Sequence, residues 1–349
     1  MDELFDFSFS YAYGKPLAGA VMRSTSDDFQ VDELLDIPLS GSGEHHWLHI
    51  QKRDTNTEWL ARQLARLAGV TARDVGYAGM KDRIAVTTQW FSVRLPGKFD
   101  PDWQAIESDN VKLLSFGRNS AKLRRGAHNG NAFIITLRNV EGDRDSIDQR
   151  LSQVKLNGVP NYFGEQRFGH GGRNVSNGVA LLKGDIKVKD RHKRSLYLSA
   201  VRSYLFNLIL SARVADGSWQ QLLPGEAVML SGTNSHFSAD VVDDELNRRL
   251  AEGDIHPSAP LWGRGRAASI STAFEYEQRV LTPYQDILKK MEHIGLDQSR
   301  RSLRLSVPDL NWIWQADNCL VLHFKLPVGA FATSLLREVV SPNLFDAQH

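Results

Sequence analysis

The chain is poor in the features that most often announce a function. Cys319 is its single cysteine, so no internal disulfide can form and a multi-thiolate zinc site is excluded. No GxGxxG opens a helix and no GxxxxGK[ST] occurs, which leaves dinucleotide and nucleoside-triphosphate sites without support. There is no GxSxG elbow. The most apolar long window, Leu196 to Val214, is interrupted by Ser199, Arg202, Ser203, Asn207 and Arg213, which marks a packed helix rather than a membrane span. The start, Met1-Asp2-Glu3-Leu4, is acidic where a signal peptide would be basic and then apolar. A cytoplasmic protein with no membrane partner is expected. His45, His46 and His49 lack acidic partners at metal spacing, so no metal is expected.

Net charge is nearly absent too, at +1, but its distribution is uneven. From Asn110 to Val140 there are six cations (Lys112, Arg118, Lys122, Arg124, Arg125, Arg138) and no acid. From Ile186 to Tyr204 six more, Lys193 and Arg194 among them, face Asp190 alone. Such polarisation points to a basic face for a polyanion, against the plainer reading of two solvated faces.

What is present describes a soluble globular chain. At 349 residues, 42% hydrophobic and 24% charged, it has room for two domains with proper cores. Strands are expected over Ala20 to Val31, His46 to Lys52, near Val75, Val86 to Val93, Lys112 to Phe116 and Ala132 to Leu137. Thr55-Asn56-Thr57-Glu58 reads as a capping box opening a helix to about Ala68, with Trp59, Leu60, Leu64 and Leu67 as its buried stripe. Asp145 to Lys155 is a further helix. From Val159 to about Ser302 the pattern turns mainly helical, with Gly253 to Arg266 as loop. Strands return from Leu303, and a last helix, Ala330 to Val340, is stopped by Ser341-Pro342. This is an α+β chain with a helical insertion: one domain over 1–157 plus 304–349, the other over 158–303.

Three segments carry candidate chemistry. In Tyr77-Ala78-Gly79-Met80-Lys81-Asp82-Arg83, a charged triplet sits between two predicted strands. Gly79 permits a sharp turn there, and a carboxylate flanked by two cations is ionised at neutral pH, as a nucleophile or anchored base must be. The plainer reading is a solvated turn in which Asp82 pairs with Lys81 or Arg83. Asn161-Tyr162-Phe163-Gly164-Glu165-Gln166-Arg167-Phe168-Gly169 combines rings, glycines and Arg167; it can bring amides and Arg to phosphates and rings to bases, or simply pack as an interdomain linker. In Gly126-Ala127-His128-Asn129-Gly130-Asn131-Ala132-Phe133, Asn129-Gly130 is a hairpin turn signal. Asn131 is placed to bond a base edge, with Phe133 stacking beneath.

Taken in order, Gly79-x-Lys81-Asp82-x-x-Ala85-Val86-Thr87, Gly130-Asn131-Ala132-Phe133, Asn161-Tyr162-Phe163-Gly164-x-Gln166-Arg167-Phe168-Gly169 and Gly329-Ala330-Phe331-Ala332-Thr333 resemble the TruD family of tRNA pseudouridine synthases. The likeness covers about Lys15 to Glu338 and is thin over 217–270. It implies a V-shaped enzyme, a pseudouridine-synthase domain of mixed or antiparallel sheet with flanking helices, and an inserted, mainly helical TRUD domain. It implies no cofactor, and as substrate the uridine at position 13 in the D-arm of tRNA. The catalytic aspartate falls on Asp82, substrate contacts on Phe29, Asn131 and Phe331, a ring beside the aspartate on Phe133, and a basic neighbour on Arg23. Lys81, Arg124, Arg125, Arg167, Lys193 and Arg194 are the expected RNA-binding cations, and a monomer is expected.

The chemistry agrees. Turning uridine into pseudouridine breaks N1–C1′ and joins C5–C1′ without redox change, so one carboxylate acts at the ribose, by attack at C1′ or deprotonation at C2′. The freed base needs an aromatic platform and a polar hand. Two other functions compete. A non-catalytic RNA-binding protein gains nothing from a carboxylate at Asp82, and a nucleoside or glycoside hydrolase would need a second positioned carboxylate.

Overall fold

Nine strands pair into one sheet, and their order decides which loops meet. The computed structural model describes residues 5–16, 18–95, 97, 100–316 and 318–341; the acidic start Met1–Leu4 and the expected helix stop at Pro342 lie outside the described residues. In chain order the first strands are β1 (Gly19–Met22), β2 (Phe29–Leu34), β3 (His45–Arg53), β4 (Val75–Tyr77), β5 (Val86–Arg94), β6 (Val111–Asn119) and β7 (Gly130–Glu141). Across the sheet the order is Asn311–Gln315, Cys319–Pro327, β7, β2, β5, β3, β6, with β1 on β7 and β4 on β5. All pairings are antiparallel except β2 with β5.

The chain divides into two units. The sheet unit takes residues 18–151, 307–329 and 340–341; the helical unit takes 5–16, 152–306 and 330–339. Residues 5–16 and 330–339 thus group with the helices, not with the sheet as the 1–157 plus 304–349 expectation had it. The cause is aromatic. Phe9 stacks on Tyr162 with ring centres 5.4 Å apart, and Phe7 lies 5.1 Å from Phe168. Ser334 Oγ donates to the Tyr162 carbonyl, and the Ala12 amide donates to the Glu338 carboxylate.

In the sheet unit, β3 and β5 are withdrawn from solvent along most of their length, on both faces of the sheet. Leu48, Ile50, Phe91 and Val93 pack under helix α1 (Thr57–Leu67), against Leu60 and Leu64. Asn56, not Thr55, caps α1: its side chain accepts from the Glu58 and Trp59 amides. Trp59 leaves the expected stripe and is 49% exposed. The expected strand Ala20 to Val31 is broken, because Arg23 takes a left-handed φ of +59° and Ser26–Asp28 form a 3-10 turn held by the Thr25–Asp28 capping box. Helix α2 (Arg144–Asn157) leads out of this unit.

The helical unit holds α3 (Arg173–Lys183), α4 (Arg191–Ala215), α5 (Asp244–Ala251), α6 (Ser271–Leu281), α7 (Gln285–Glu292) and α8 (Ala332–Val339). Its core gathers Val201, Phe206 and Leu210 of α4 with Tyr162, Phe163 and Phe168. Asn207, which looked like a break in an apolar run, is fully buried. Its side chain accepts from the Phe163 amide at 2.9 Å and donates to the Phe163 carbonyl at 3.0 Å, satisfying that turn's main chain. The segment read as loop over Gly253 to Arg266 contains strands instead. Ile255–His256 joins Glu226–Leu230 and His236–Ala239, and Ser258–Leu261 pairs with Ser299–Ser302.

Candidate active site

Parallel pairing of β2 and β5 is the key to the site. Adjacent parallel strands start at the same end, so the chain entering β2 and the chain entering β5 lie side by side there. Arg23 is on the first approach and Asp82 on the second. β4 runs antiparallel to β5, with Tyr77 opposite Phe91, and the chain after it continues toward the β5 start before turning back through Arg83 and Ile84. β3 ends at the same place, with Lys52 opposite Thr87 and Arg53 opposite Val86.

Asp82 is held from two sides. Arg23 Nη2 donates to the Asp82 carboxylate at 2.9 Å, the two side chains being 24% and 37% exposed. From the other side, Lys52 Nζ donates to the Asp82 main-chain carbonyl at 3.0 Å and to the Thr55 carbonyl at 2.7 Å. Lys52 is fully buried. Burial pushes its ammonium down to about 8; the Asp82 charge works against that shift and the Lys81 charge adds to it. The pairing of Asp82 with a chain neighbour, the plainer reading, does not occur. Arg83 is exposed, and Lys81 Nζ pairs instead with Glu33 at 3.0 Å, both side chains withdrawn from solvent.

Glu33 is itself fixed, its other oxygen accepting from the Trp90 amide at 3.1 Å. The Lys81 amide donates to Thr57 Oγ1, whose hydroxyl donates to Gln89, and Gln89 donates to the Gly79 carbonyl. Gly79 takes no left-handed φ, and a Cβ there would lie 3.3 Å from the His128 ring. His128 is buried, and burial, then the Lys81 charge, holds its pKa below the usual histidine value, against a smaller opposing effect of Glu33.

Three of the expected substrate residues, Phe29, Asn131 and Phe133, share one sheet face. Phe29, Val31 and Glu33 on β2 stand opposite Ile135, Phe133 and Asn131 on β7, and those opposite Leu322, Phe324 and Leu326. Phe133 stacks on Phe324 at 5.1 Å and meets the Phe29 ring edge-on at 6.2 Å. The Arg23 guanidinium lies over Phe29, 3.9 Å from the ring centre, a cation–π contact that fixes its aim at Asp82. Asn131 Oδ1 and Arg23 Nε are buried without a hydrogen-bond partner, as groups awaiting a polar ligand would be. Asn129-Gly130 makes no hairpin: Gly130 opens β7, and a Cβ there would lie 2.4 Å from the Leu326 carbonyl oxygen.

Other expected residues separate from this cluster. Phe331 lies in the helical unit, edge-on to Phe163 at 5.9 Å. Tyr162, Phe163 and Phe168 are core residues, so the linker reading of their rings is the correct one. Arg167 is partly buried over Phe163, and burial lowers its pKa. Arg138 is spoken for by buried Asp28, Arg118 by Asp100, and Arg202 by the Leu261 and Asp297 carbonyls. Arg124, Arg125, Lys193 and Arg194 are exposed. Sequence reading missed Lys52, although it stands in phase with Leu48 and Ile50 on β3, where an apolar residue is expected.

This arrangement can be set beside known proteins. The family described as tRNA pseudouridine synthase D (TruD) matches residues 8–189 and 186–339. The chain belongs to the TruD family. A tRNA pseudouridine synthase D from Nitrosococcus oceani is 50% identical to this TruD-family chain over 341 residues, covering 97% of it and 95% of that protein. The one from Methylococcus capsulatus is 48% identical, covering 97% and 94%. A solved structure described as a TruD from Methanosarcina mazei superposes with a TM-score of 0.74 at 22% identity, covering 95% of each chain, and so shares the fold.

Proposed function

We propose that this TruD-family chain isomerises uridine to pseudouridine at position 13 in the D-arm of tRNA, with Asp82 acting at the ribose. One observation carries the assignment to Asp82. Its carboxylate is 37% exposed while its main chain, its ion-pair partner and the adjoining aromatic floor are all held in place. A preorganised carboxylate of this kind suits attack at C1′ or deprotonation at C2′. Arg23 balances the negative charge, and Phe133 stacked on Phe324, with Phe29 edge-on to Phe133, is the apolar platform proposed for the detached base. Asn131 Oδ1 offers the base a hydrogen-bond acceptor while it turns. In the balanced reaction C1′ exchanges N1 for C5, C5 loses its proton and N1 gains one. Phe331 is a further proposed substrate contact, on the family likeness of Gly329-Ala330-Phe331-Ala332-Thr333. A cytoplasmic location fits a chain whose single cysteine is buried.

Incubation with unmodified bulk tRNA, followed by carbodiimide mapping, is expected to show pseudouridine at position 13. Asp82→Asn should abolish it while leaving tRNA affinity within a few fold, because the carboxylate acts on sugar rather than in docking. Full turnover by Asp82→Asn removes that residue from the mechanism. Tight tRNA binding without any pseudouridine would favour the binding-protein reading.

A further inference from the structure

We propose that Lys52 is a positioning residue for this reaction: its buried ammonium fixes the Asp82 main chain and so sets the direction of the carboxylate. The inference rests on the proposed role of Asp82. A fully buried lysine is rare because its charge must leave water, and it persists only where partners are fixed. Here the partners are two main-chain carbonyl oxygens, of Thr55 at 2.7 Å and Asp82 at 3.0 Å. The turn at Thr55 has further ties of its own. Asn56 already caps α1, and Thr55 Oγ1 donates to the Arg53 carbonyl at 2.6 Å.

The Asp82 side is different. Lys81, the cation next to it in sequence, is drawn off to Glu33. Without Lys52, the Asp82 carbonyl would lose this bond and the residue would be held only through Arg23 at its carboxylate, itself on a partly exposed side chain. Two cations, Arg23 on the turn between β1 and β2 and Lys52 on β3, therefore grip the two ends of one residue, Arg23 the carboxylate and Lys52 the backbone. Lys52 touches no reacting atom in this scheme and acts through Asp82. The mutual influence of the Lys52 and Asp82 charges is consistent with that closeness.

The test uses the full-length protein with unmodified tRNA. Lys52→Met keeps the length of the side chain and removes the donor and charge. It is expected to lower kcat at least tenfold with KM for tRNA within threefold, and to speed amide exchange in the peptide spanning Met80 to Ile84. Lys52→Arg, which keeps a cationic donor, should recover several-fold over Lys52→Met. Wild-type kcat in a folded Lys52→Met protein overturns the proposal, as does a loss shared equally by kcat and KM. Failure of Lys52→Met to fold would show that the residue serves the fold first, and also overturns it. Absence of pseudouridine with the wild-type protein is a separate result, and counts against the proposed reaction instead.

Discussion

Lys81 precedes Asp82 in the chain, yet its ammonium lies 3.0 Å from the Glu33 carboxylate, 48 positions away. That pair ties the loop carrying Asp82 to β2, and both side chains are nearly inaccessible. Removing one partner of a buried pair leaves an uncompensated charge, which costs about 3–5 kcal/mol. Glu33→Gln is therefore expected to lower unfolding free energy by about that amount, read from the urea midpoint at constant m-value. A change within about 0.5 kcal/mol would show that Lys81 finds another partner.

The exposed cations give a second prediction. Reversing charge at Arg124 and Arg125, or at Lys193 and Arg194, should weaken tRNA binding and flatten the log-affinity slope against log salt by about one per lost phosphate contact. Reversal at Arg138 should act differently, since it strips buried Asp28 of its partner, and should appear first as lost stability. An unchanged salt slope in both double variants would make these runs ordinary solvated surface.

Acid sensitivity follows from His256. Burial first, and the Arg304 charge second, push its pKa down to about 4, while an unfolded histidine titrates near 6.5. The folded state favours the neutral ring, so the stability is present above pH 6.5 and is lost as pH falls through about 4. The full loss is roughly 3 kcal/mol, at about 1.4 kcal/mol per unit. His256→Asn should give a shallower fall of unfolding free energy between pH 7 and 4 than wild type. Equal slopes would locate the acid sensitivity elsewhere.

The sequence made parts of this molecule legible and hid others for identifiable reasons. Helix α1 and strands β3 to β5 follow from runs of apolar and β-prone residues, capping and turn chemistry, which are local. Trp59 was misread because helical spacing alone does not say where the covering element stops. The partners of Asp82 were hidden because they depend on β2 lying parallel to β5, a pairing that no neighbouring residues encode. Arg23 was found only through family likeness; its left-handed backbone and its seat on Phe29 have no sequence signal. The strands within 217–270 went unseen because they are short and carried by long-range ion pairs. Buried Arg213–Glu226 and Arg300–Glu277 are the two chief ones.

The stacking of Phe133 on Phe324 has a bearing on how the protein is made. The stack joins residues nearly 200 positions apart, with residues 152–306 of the helical unit synthesised in between. Until Cys319–Pro327 emerges, β7 has no partner on that side, and its open edge is the kind that recruits wrong strands. Such a closure is slow, because a long loop must be ordered before the contact rewards it. A nascent chain therefore passes through a long interval in which Asp82, Arg23 and Lys52 are already made but the Phe133–Phe324 stack is not. The enzyme becomes competent only when translation is almost finished.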